Sequence, residues 1–341
     1  MKSTKKPPRS RDLNDSFGRT IDYLRLSVTD RCDFRCFYCI GDKVTFLPKP
    51  DVLSLEELDR LCSLFIDQGV RKLRLTGGEP LVRRGILTLI SDLSRHLESG
   101  RLREITLTTN GSQLAKMATA LANLGVMRIN ISLDTLRAER FTRITGKPRF
   151  AQVLDGIETA LKAGIKLKVN TVALKGVNDD EFDDLIRFCH EREMDLTIIE
   201  TMPMGGLLLE RPDVYLPLSE VQEQLTDRWS LIKTDHRSSG PASYFTVGET
   251  GGRVGFIAPM THNFCDSCNR VRLSCTGILY TCLGRNNATN LRTPLRTSQD
   301  DAPIIKTIRK AIANKPEGHD FNIKKDRNYP VLERQMSVTG G

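Results

Sequence analysis

Six short strand-like runs, each followed by a helix-like segment or a loop leading to one, constrain this chain more than any other feature of its sequence. The runs are Tyr23–Val28, Lys72–Thr76, Glu104–Thr109, Arg128–Leu133, Lys166–Ala173 and Leu196–Thr201. Helical patterns begin near Ser54, Arg83, Ser112, Thr135, Phe150 and Asp179. Ser54 followed by Glu57 spells a capping box, and the helix opening there runs towards Gly69. Strand and helix alternating at this spacing predict a parallel sheet. Six units fall short of the eight of a closed barrel, so an open, partial barrel is expected.

Strand parity adds a second constraint. Ile129, Ile131 and Leu133 share one face of the fourth run, and Arg128, Asn130, Ser132 and Asp134 share the other. The same split sets Leu24, Leu26 and Val28 against Arg25 and Ser27, Leu73 and Leu75 against Arg74 and Thr76, and Leu167 and Val169 against Lys166, Lys168 and Asn170. Parallel strands covered on both faces normally read as continuously apolar. Here the apolar face must meet the outer helices, so the polar face looks into the lumen. A lumen lined with Arg, Lys, Thr, Ser and Asn suits a large polar ligand, where an ordinary barrel packs branched apolar side chains.

After Met202 the periodicity changes. Ser219–Trp229 reads as a helix, Phe245–Val247 and Val254–Ile257 as a hairpin, and Asn287–Leu295 and Ala302–Ala313 as short helices. The organisation expected is a basic flexible tail over 1–18, a partial barrel over 19–204 and an extension over 205–341. Hydrophobic residues make up 39% of the chain, enough for a core, and no apolar run reaches membrane-spanning length. The leader lacks the apolar centre of a signal peptide, so a cytoplasmic protein is expected. The net charge of +9 suits an anionic partner, but one Trp and six Tyr are poor material for stacking nucleobases.

Of the nine cysteines, six fall into two tight groups. Cys32, Cys36 and Cys39 have a C-x3-C-x2-C spacing in the loop after the first strand, at the mouth where barrel sites form. Three thiolates there can hold three irons of a four-iron cube and leave the fourth iron open to a small molecule. A structural zinc would want four protein ligands, and no fourth Cys or His lies nearby in sequence. Cys265, Cys268 and Cys282 form the second group, read as a second cluster in preference to zinc. Arg270 and Arg272 follow it two residues apart, and their forked guanidinium groups suit phosphate oxygens. Cys62 and Cys189 read as core, and Cys275 as a non-ligand.

The first loop resembles the signature of the radical S-adenosylmethionine (SAM) superfamily, together with Thr76-Gly77-Gly78-Glu79-Pro80 after the second strand. Leu24–Cys32, Arg74–Pro80, Thr108–Gly111, Asn130–Asp134, Lys168–Asn170, Phe264–Arg272 and the terminal Gly340-Gly341 resemble, more narrowly, the GTP 3′,8-cyclase family of molybdenum-cofactor biosynthesis. The resemblance implies a partial (β/α)6 TIM-like radical SAM barrel, with an extension that carries an auxiliary cluster. It implies two 4Fe–4S clusters and SAM as cofactors. SAM would be contacted by Tyr38, Gly78, Ser132 and Met202, and GTP by Arg25, Arg74, Thr108, Lys168, Arg270, Val271 and Arg272. Gly340 and Gly341 would reach into the site. The activity implied is that of a lyase joining ribose C3′ of GTP to guanine C8, to give 3′,8-cyclo-7,8-dihydro-GTP. A reductant such as flavodoxin or ferredoxin, cyclic pyranopterin monophosphate synthase as the next enzyme, and a homodimer are implied too, with no nucleic-acid or membrane partner.

Two departures stand out. Ile40-Gly41 replaces a frequent Met-Pro, and Thr197 stands where the family usually carries an Arg, which puts one anion contact in doubt. Two other readings draw on parts of the same sequence. One is a peptide maturase with an auxiliary cluster, although four cysteines after Cys189 are few for that class. The other is a zinc-binding nucleic-acid module.

The two cysteine groups make a direct prediction. Cys275→Ser keeps the iron of the anaerobically purified protein, whereas Cys268→Ser loses about half of it, if each group holds a cube of equal size. Iron loss from Cys275→Ser but not from Cys282→Ser would reverse the ligand assignment.

Overall fold

The computed structural model describes residues 12–39, 46–204, 212–238, 240–261, 264–319, 321, 334 and 336–339. The six expected strands form as β1 (Tyr23–Ser27), β2 (Lys72–Thr76), β3 (Glu104–Thr109), β4 (Arg128–Ser132), β5 (Lys166–Val172) and β6 (Asp195–Ile199). They pair in parallel and in chain order. Helices α1 (Leu55–Asp67), α2 (Ile86–Glu98), α3 (Leu114–Asn123), α4 (Ala138–Thr145), α5 (Phe150–Lys162) and α6 (Phe182–His190) lie between successive strands. Ser54 caps α1 as its sequence requires: its hydroxyl accepts from the Glu57 amide at 3.1 Å, and Glu57 returns the bond to the Ser54 amide at 2.8 Å. Leu58, Leu61 and Phe65 of α1, Leu89 and Leu93 of α2, and Val153 and Ile157 of α5 are fully buried, in one core with the apolar strand residues.

The extension does not stand apart from this sheet. Its strands β7 (Leu231–Lys233), β8 (Ser243–Val247), β9 (Arg253–Ile257), β10 (Arg270–Leu273), β11 (Ile278–Tyr280) and β12 (Ala288–Asn290) continue it at both edges. Among the described residues the strand order is β12-β11-β10-β1-β2-β3-β4-β5-β6-β9-β8-β7. Both β10 beside β1 and β9 beside β6 run parallel to their neighbours, so the parallel part is two strands wider than the six-unit pattern predicts. The expected hairpin is β8–β9. One expectation fails: residues 288–290 are strand, and the helix runs only over Arg292–Thr297. The β11 edge takes Ala288 to Asn290 as its antiparallel partner, and this sheet pairing overrides a weak local helix preference.

Two buried side chains bind the extension and the N-terminal segment to the rest. Glu200, just past β6, has no exposed surface. One of its oxygens accepts from the Tyr215 hydroxyl at 2.9 Å, and the other from the Met260 and Thr261 amides at 2.9 and 3.1 Å. Before β1, Leu13 joins the core and Arg19 pairs with buried Asp15 at 2.5 Å. No helix among the described residues is long and apolar enough to cross a membrane.

Glu200→Gln leaves an amide among donors that all need an acceptor. Losing one charge-assisted bond costs about 1.5–3 kcal/mol. A lower thermal unfolding midpoint of the anaerobic protein is the expected outcome; an unchanged midpoint would remove Glu200 from this role.

Candidate active site

The first cysteine triad occupies the loop that leaves the C-terminal end of β1. The Arg35 and Phe37 amides bond to the Thr145 and Ile144 carbonyls at 2.8 and 3.1 Å, tying the loop to the end of α4. Asp33 receives Asn110 Nδ2 at 2.8 Å, the Ser112 hydroxyl at 2.7 Å and Arg149 at 3.0 Å. Gly77 and Gly78 press against the same loop. A Cβ on Gly77 would lie 2.5 Å from the Thr29 carbonyl oxygen, and one on Gly78 would collide with the Arg31 carbonyl. The Gly78 and Glu79 amides in turn bond to the Thr29 and Arg31 carbonyls. These glycines are therefore needed where backbone meets backbone.

Glu79, one residue on, belongs to the sequence motif, but the sequence assigns it no role of its own. Its buried carboxylate accepts from Leu81 N at 3.0 Å, Thr109 Oγ1 at 2.7 Å and Asn110 N at 2.6 Å. It locks the turn after β3, whose Asn110 and Ser112 hold Asp33. Burial pushes its carboxyl up to about 7, against the pull of these donors. A small cavity lies beside the loop, lined by Cys36, Tyr38, Asn110, Ser132 and Asp134 among others. Tyr38 donates its hydroxyl to Asp134 at 2.7 Å, and Val172 N bonds to the other oxygen of Asp134 at 2.8 Å. Burial raises the Asp134 carboxyl to about 6.

The polar strand faces do meet in one buried surface. Register places Arg272, Arg25, Arg74, Thr106 and Arg128 side by side across five strands. Thr108, Asn130 and Lys168 form the next row, and Ser132, Asn170, Thr197, Gly255 and Tyr244 another. Arg74, Lys168 and Arg272 keep only 7%, 6% and 9% of their surface exposed. Desolvation, then the charges of Arg74 and Arg128, lowers the Lys168 ammonium to about 7. Desolvation, then Arg270, lowers Arg272 to about 10. Several buried polar atoms here lack a partner: Arg74 Nε, Thr108 Oγ1, both amide atoms of Asn130, Asn170 Oδ1, Thr197 Oγ1 and Arg270 Nε. Buried donors and acceptors are normally satisfied, so so many on one surface mark the seat of a polar ligand.

Tyr244 was also missed. Its hydroxyl receives Lys168 Nζ at 3.3 Å and donates to Ser238 at 3.1 Å. A Cβ on Gly255 would come within 2.8 Å of its ring, so glycine makes room for it.

The second triad flanks the same surface. Cys265 starts a single 3-10 turn, the Cys268 amide bonds to the Cys265 carbonyl at 3.0 Å, and β10 follows at once. Burial would raise the Cys268 thiol, but Lys315 and Arg270 bring it below its ordinary value. Cys282 lies close enough to feel Cys265 and Cys268. Among the described residues no three His, Cys, Asp or Glu side chains enclose a single metal ion. The donor chemistry of both triads fits iron–sulfur clusters, in which each thiolate takes its own iron. Cys275 is buried elsewhere, near Ser27 and Asp30.

Tyr38 and Ser132 thus share the cavity with Cys36, while Gly78 and Met202 do not line it. Val271 points to the apolar side and is 1% exposed, so only its backbone lies between Arg270 and Arg272. Ile40, Gly41, Gly340 and Gly341 lie outside the described residues. The chain just before the last two is placed: Thr339 is fully buried, and its carbonyl receives Arg272 Nη1 at 3.5 Å.

Residues 26–189 match the Radical SAM superfamily, and residues 194–321 match Molybdenum Cofactor Synthesis C. A protein of Brucella ovis named GTP 3′,8-cyclase is 60% identical over 96% of this chain and 95% of its own length. Another of that name from Agrobacterium fabrum is 60% identical over 96% of this chain and 94% of its own. Among solved structures, Streptococcus suis SuiB superposes with a TM-score of 0.58 at 17% identity, covering 86% of this chain and 69% of SuiB. SuiB bound to precursor peptide SuiA gives 0.57 at 16% identity, over 88% and 71%. At such identity the likeness is one of fold.

Glu79→Gln puts an NH2 group among converging donors. The Asn110 turn loosens, and 5′-deoxyadenosine formation from SAM falls by about 10- to 100-fold, the equivalent of one lost charge-assisted bond. Unaltered SAM cleavage by Glu79→Gln would show that the turn holds without it.

Proposed function

The chain belongs to the GTP 3′,8-cyclase family, and from that membership we propose that it seats GTP on the buried polar face of its sheet and joins ribose C3′ to guanine C8, as a lyase opening molybdenum-cofactor biosynthesis. The radical SAM superfamily implies a 4Fe–4S cluster and SAM, which Cys32, Cys36 and Cys39 would hold together with the Tyr38, Gly78, Ser132 and Met202 region. When bound, these cofactors supply the carbon radical that takes hydrogen from the substrate.

The observation that carries this reading is the row of buried cations with polar atoms left unpartnered. A triphosphate supplies the counter-charge for Arg74, Lys168 and Arg270, none of which forms an ion pair with a carboxylate among the described residues; Arg25 and Arg272 border them in register. Glu104 is engaged with Lys72 and Arg128, and Asp195 with Arg253. Thr108 and Asn130 offer donors and acceptors for the rest of the nucleotide. The lumen excludes water around the reacting atoms. Thr197, buried between Asn170 and Gly255, brings no cation, and Lys168, one row away on β5, would take up the missing contact, since Arg253 at the same height on β9 is paired with Asp195.

We further propose that Cys265, Cys268 and Cys282 would hold a second 4Fe–4S cluster that takes part in binding the substrate, and that Gly340–Gly341 assist the reaction. The division at about residue 204, a cytoplasmic location, a flavodoxin or ferredoxin reductant, a homodimer and hand-over to cyclic pyranopterin monophosphate synthase belong to the same proposal.

The test joins binding to pH. Lys168 loses its proton near pH 7 when no anion is bound and regains it on meeting a phosphate. GTP affinity should therefore fall as pH rises above about 7, with proton uptake measurable by calorimetry in buffers of different ionisation enthalpy. Lys168→Met should abolish the uptake and weaken GTP binding by about 1–3 kcal/mol, while SAM binding changes little. Proton uptake that persists in Lys168→Met, or equal weakening of both ligands, would overturn the assignment.

A further inference from the structure

We propose that the Lys315 ammonium sets the reduction potential of the cluster held by Cys265, Cys268 and Cys282, with Arg19 positioning the segment that carries it. The proposal rests on the second-cluster reading above. Lys315 lies two residues beyond the helix Ala302–Ala313, and its amide still bonds to the Ile312 carbonyl at 2.9 Å. A helix C-terminus favours a cation. The residue is 2% exposed. Its Nζ donates to Cys268 Sγ at 3.5 Å and to the carbonyl of Thr281, the residue before Cys282, at 2.5 Å.

Arg19 reaches the third ligand segment. Its Nη1 donates to the Cys265 carbonyl at 2.9 Å and to Glu317 O at 2.6 Å, and its Nη2 to Pro316 O at 2.6 Å. Asp15, pairing with Arg19 Nε, holds that guanidinium in place. Two cations from opposite ends of the chain therefore touch all three cysteine segments, and Arg19 grips the two residues that follow Lys315.

A buried ammonium is costly unless an opposite charge meets it. Among the described residues no carboxylate pairs with Lys315; Cys268 is its anionic partner when that sulfur is a thiolate. A cluster ligand is permanently a thiolate, which explains why a lysine is tolerated here. A positive charge at this distance in a low-dielectric setting favours the more negative, reduced cluster, and hydrogen bonds to cluster sulfurs act in the same direction. Lys315 thus eases electron entry into this cluster. A lysine that served only to tie down the Thr281 carbonyl would not move the potential.

The test uses the full chain with the first triad removed (C32A/C36A/C39A), so that one cluster is read alone. Iron is counted, and the cluster is titrated with dithionite and followed by electron paramagnetic resonance. The parent should hold about four irons. Lys315→Gln keeps a donor for Thr281 but loses the charge. Its reduced-to-oxidised ratio at a fixed poise should fall by about tenfold, or about 59 mV for a one-electron couple. Lys315→Arg should stay near the parent. Four irons in Lys315→Gln with an unmoved potential would overturn the proposal. If Lys315→Gln loses its iron and Lys315→Arg keeps it, the cluster requires the cation, which supports the proposal; iron loss from Lys315→Arg as well would make Lys315 a packing residue and overturn it. A parent without iron would be a separate failure, that of the second-cluster reading itself.

Discussion

Arg74 and Lys168 are buried on one face of a parallel sheet beside Arg272, with no carboxylate among the described residues in an ion pair with either of the first two, and the rest of the molecule is arranged around that imbalance. Desolvation disfavours each charge, which is why Lys168 and Arg272 titrate below their ordinary range. Lys72 and Arg128 share Glu104, so the charge is met at one end of the surface and left open towards its middle. The apolar opposite face offsets this cost. Leu24, Leu73, Ile105, Ile129, Val169 and Leu196 are buried against the outer helices, each stabilising the fold by about 1.5–3 kcal/mol. The polar face is the surface proposed to seat the triphosphate.

The loops at the C-terminal ends of the strands convert that surface into a site. They are held by one another's side chains: Glu79 fixes the turn at Asn110, Asn110 and Ser112 fix Asp33, and Asp134 receives Tyr38. The cysteine loop is therefore placed by contacts from β2, β3 and β4 in succession. Gly77 and Gly78 belong to this scaffold as much as to any ligand, since the Thr29 and Arg31 carbonyls occupy the space a side chain would need.

The extension completes the site from both flanks. On one side β10 lays Arg270 and Arg272 beside Tyr23 and Arg25, and on the other β8 and β9 bring Tyr244 to Lys168. Arg19 and Lys315 then connect the second triad to both ends of the chain. A C-terminal segment in this position acts as a wall of the barrel: the first triad follows the C-terminal end of β1, and Cys265 and Cys268 precede the start of its parallel neighbour β10.

The sequence by itself determined the six strands, the capped α1, the two triads and the side of the sheet on which Arg25, Arg74 and Lys168 lie, because each follows from local period or spacing. Tertiary structure alone decided that β9 and β10 extend the parallel run, since strand partners far apart in sequence leave no local trace. It turned residues 288–290 from helix to strand by offering the β11 edge. It placed Glu79, Tyr244, Arg19 and Lys315, whose partners lie 30, 76, 246 and 47 residues away along the chain. Thr197 carries the same lesson: the sequence marks the missing cation, but only the pairing of β5, β6 and β9 identifies Asn170 and Gly255 as its neighbours. Hydrogen bonds between distant segments depend on how the sheet twists and closes, and that is a property of the packed chain as a whole.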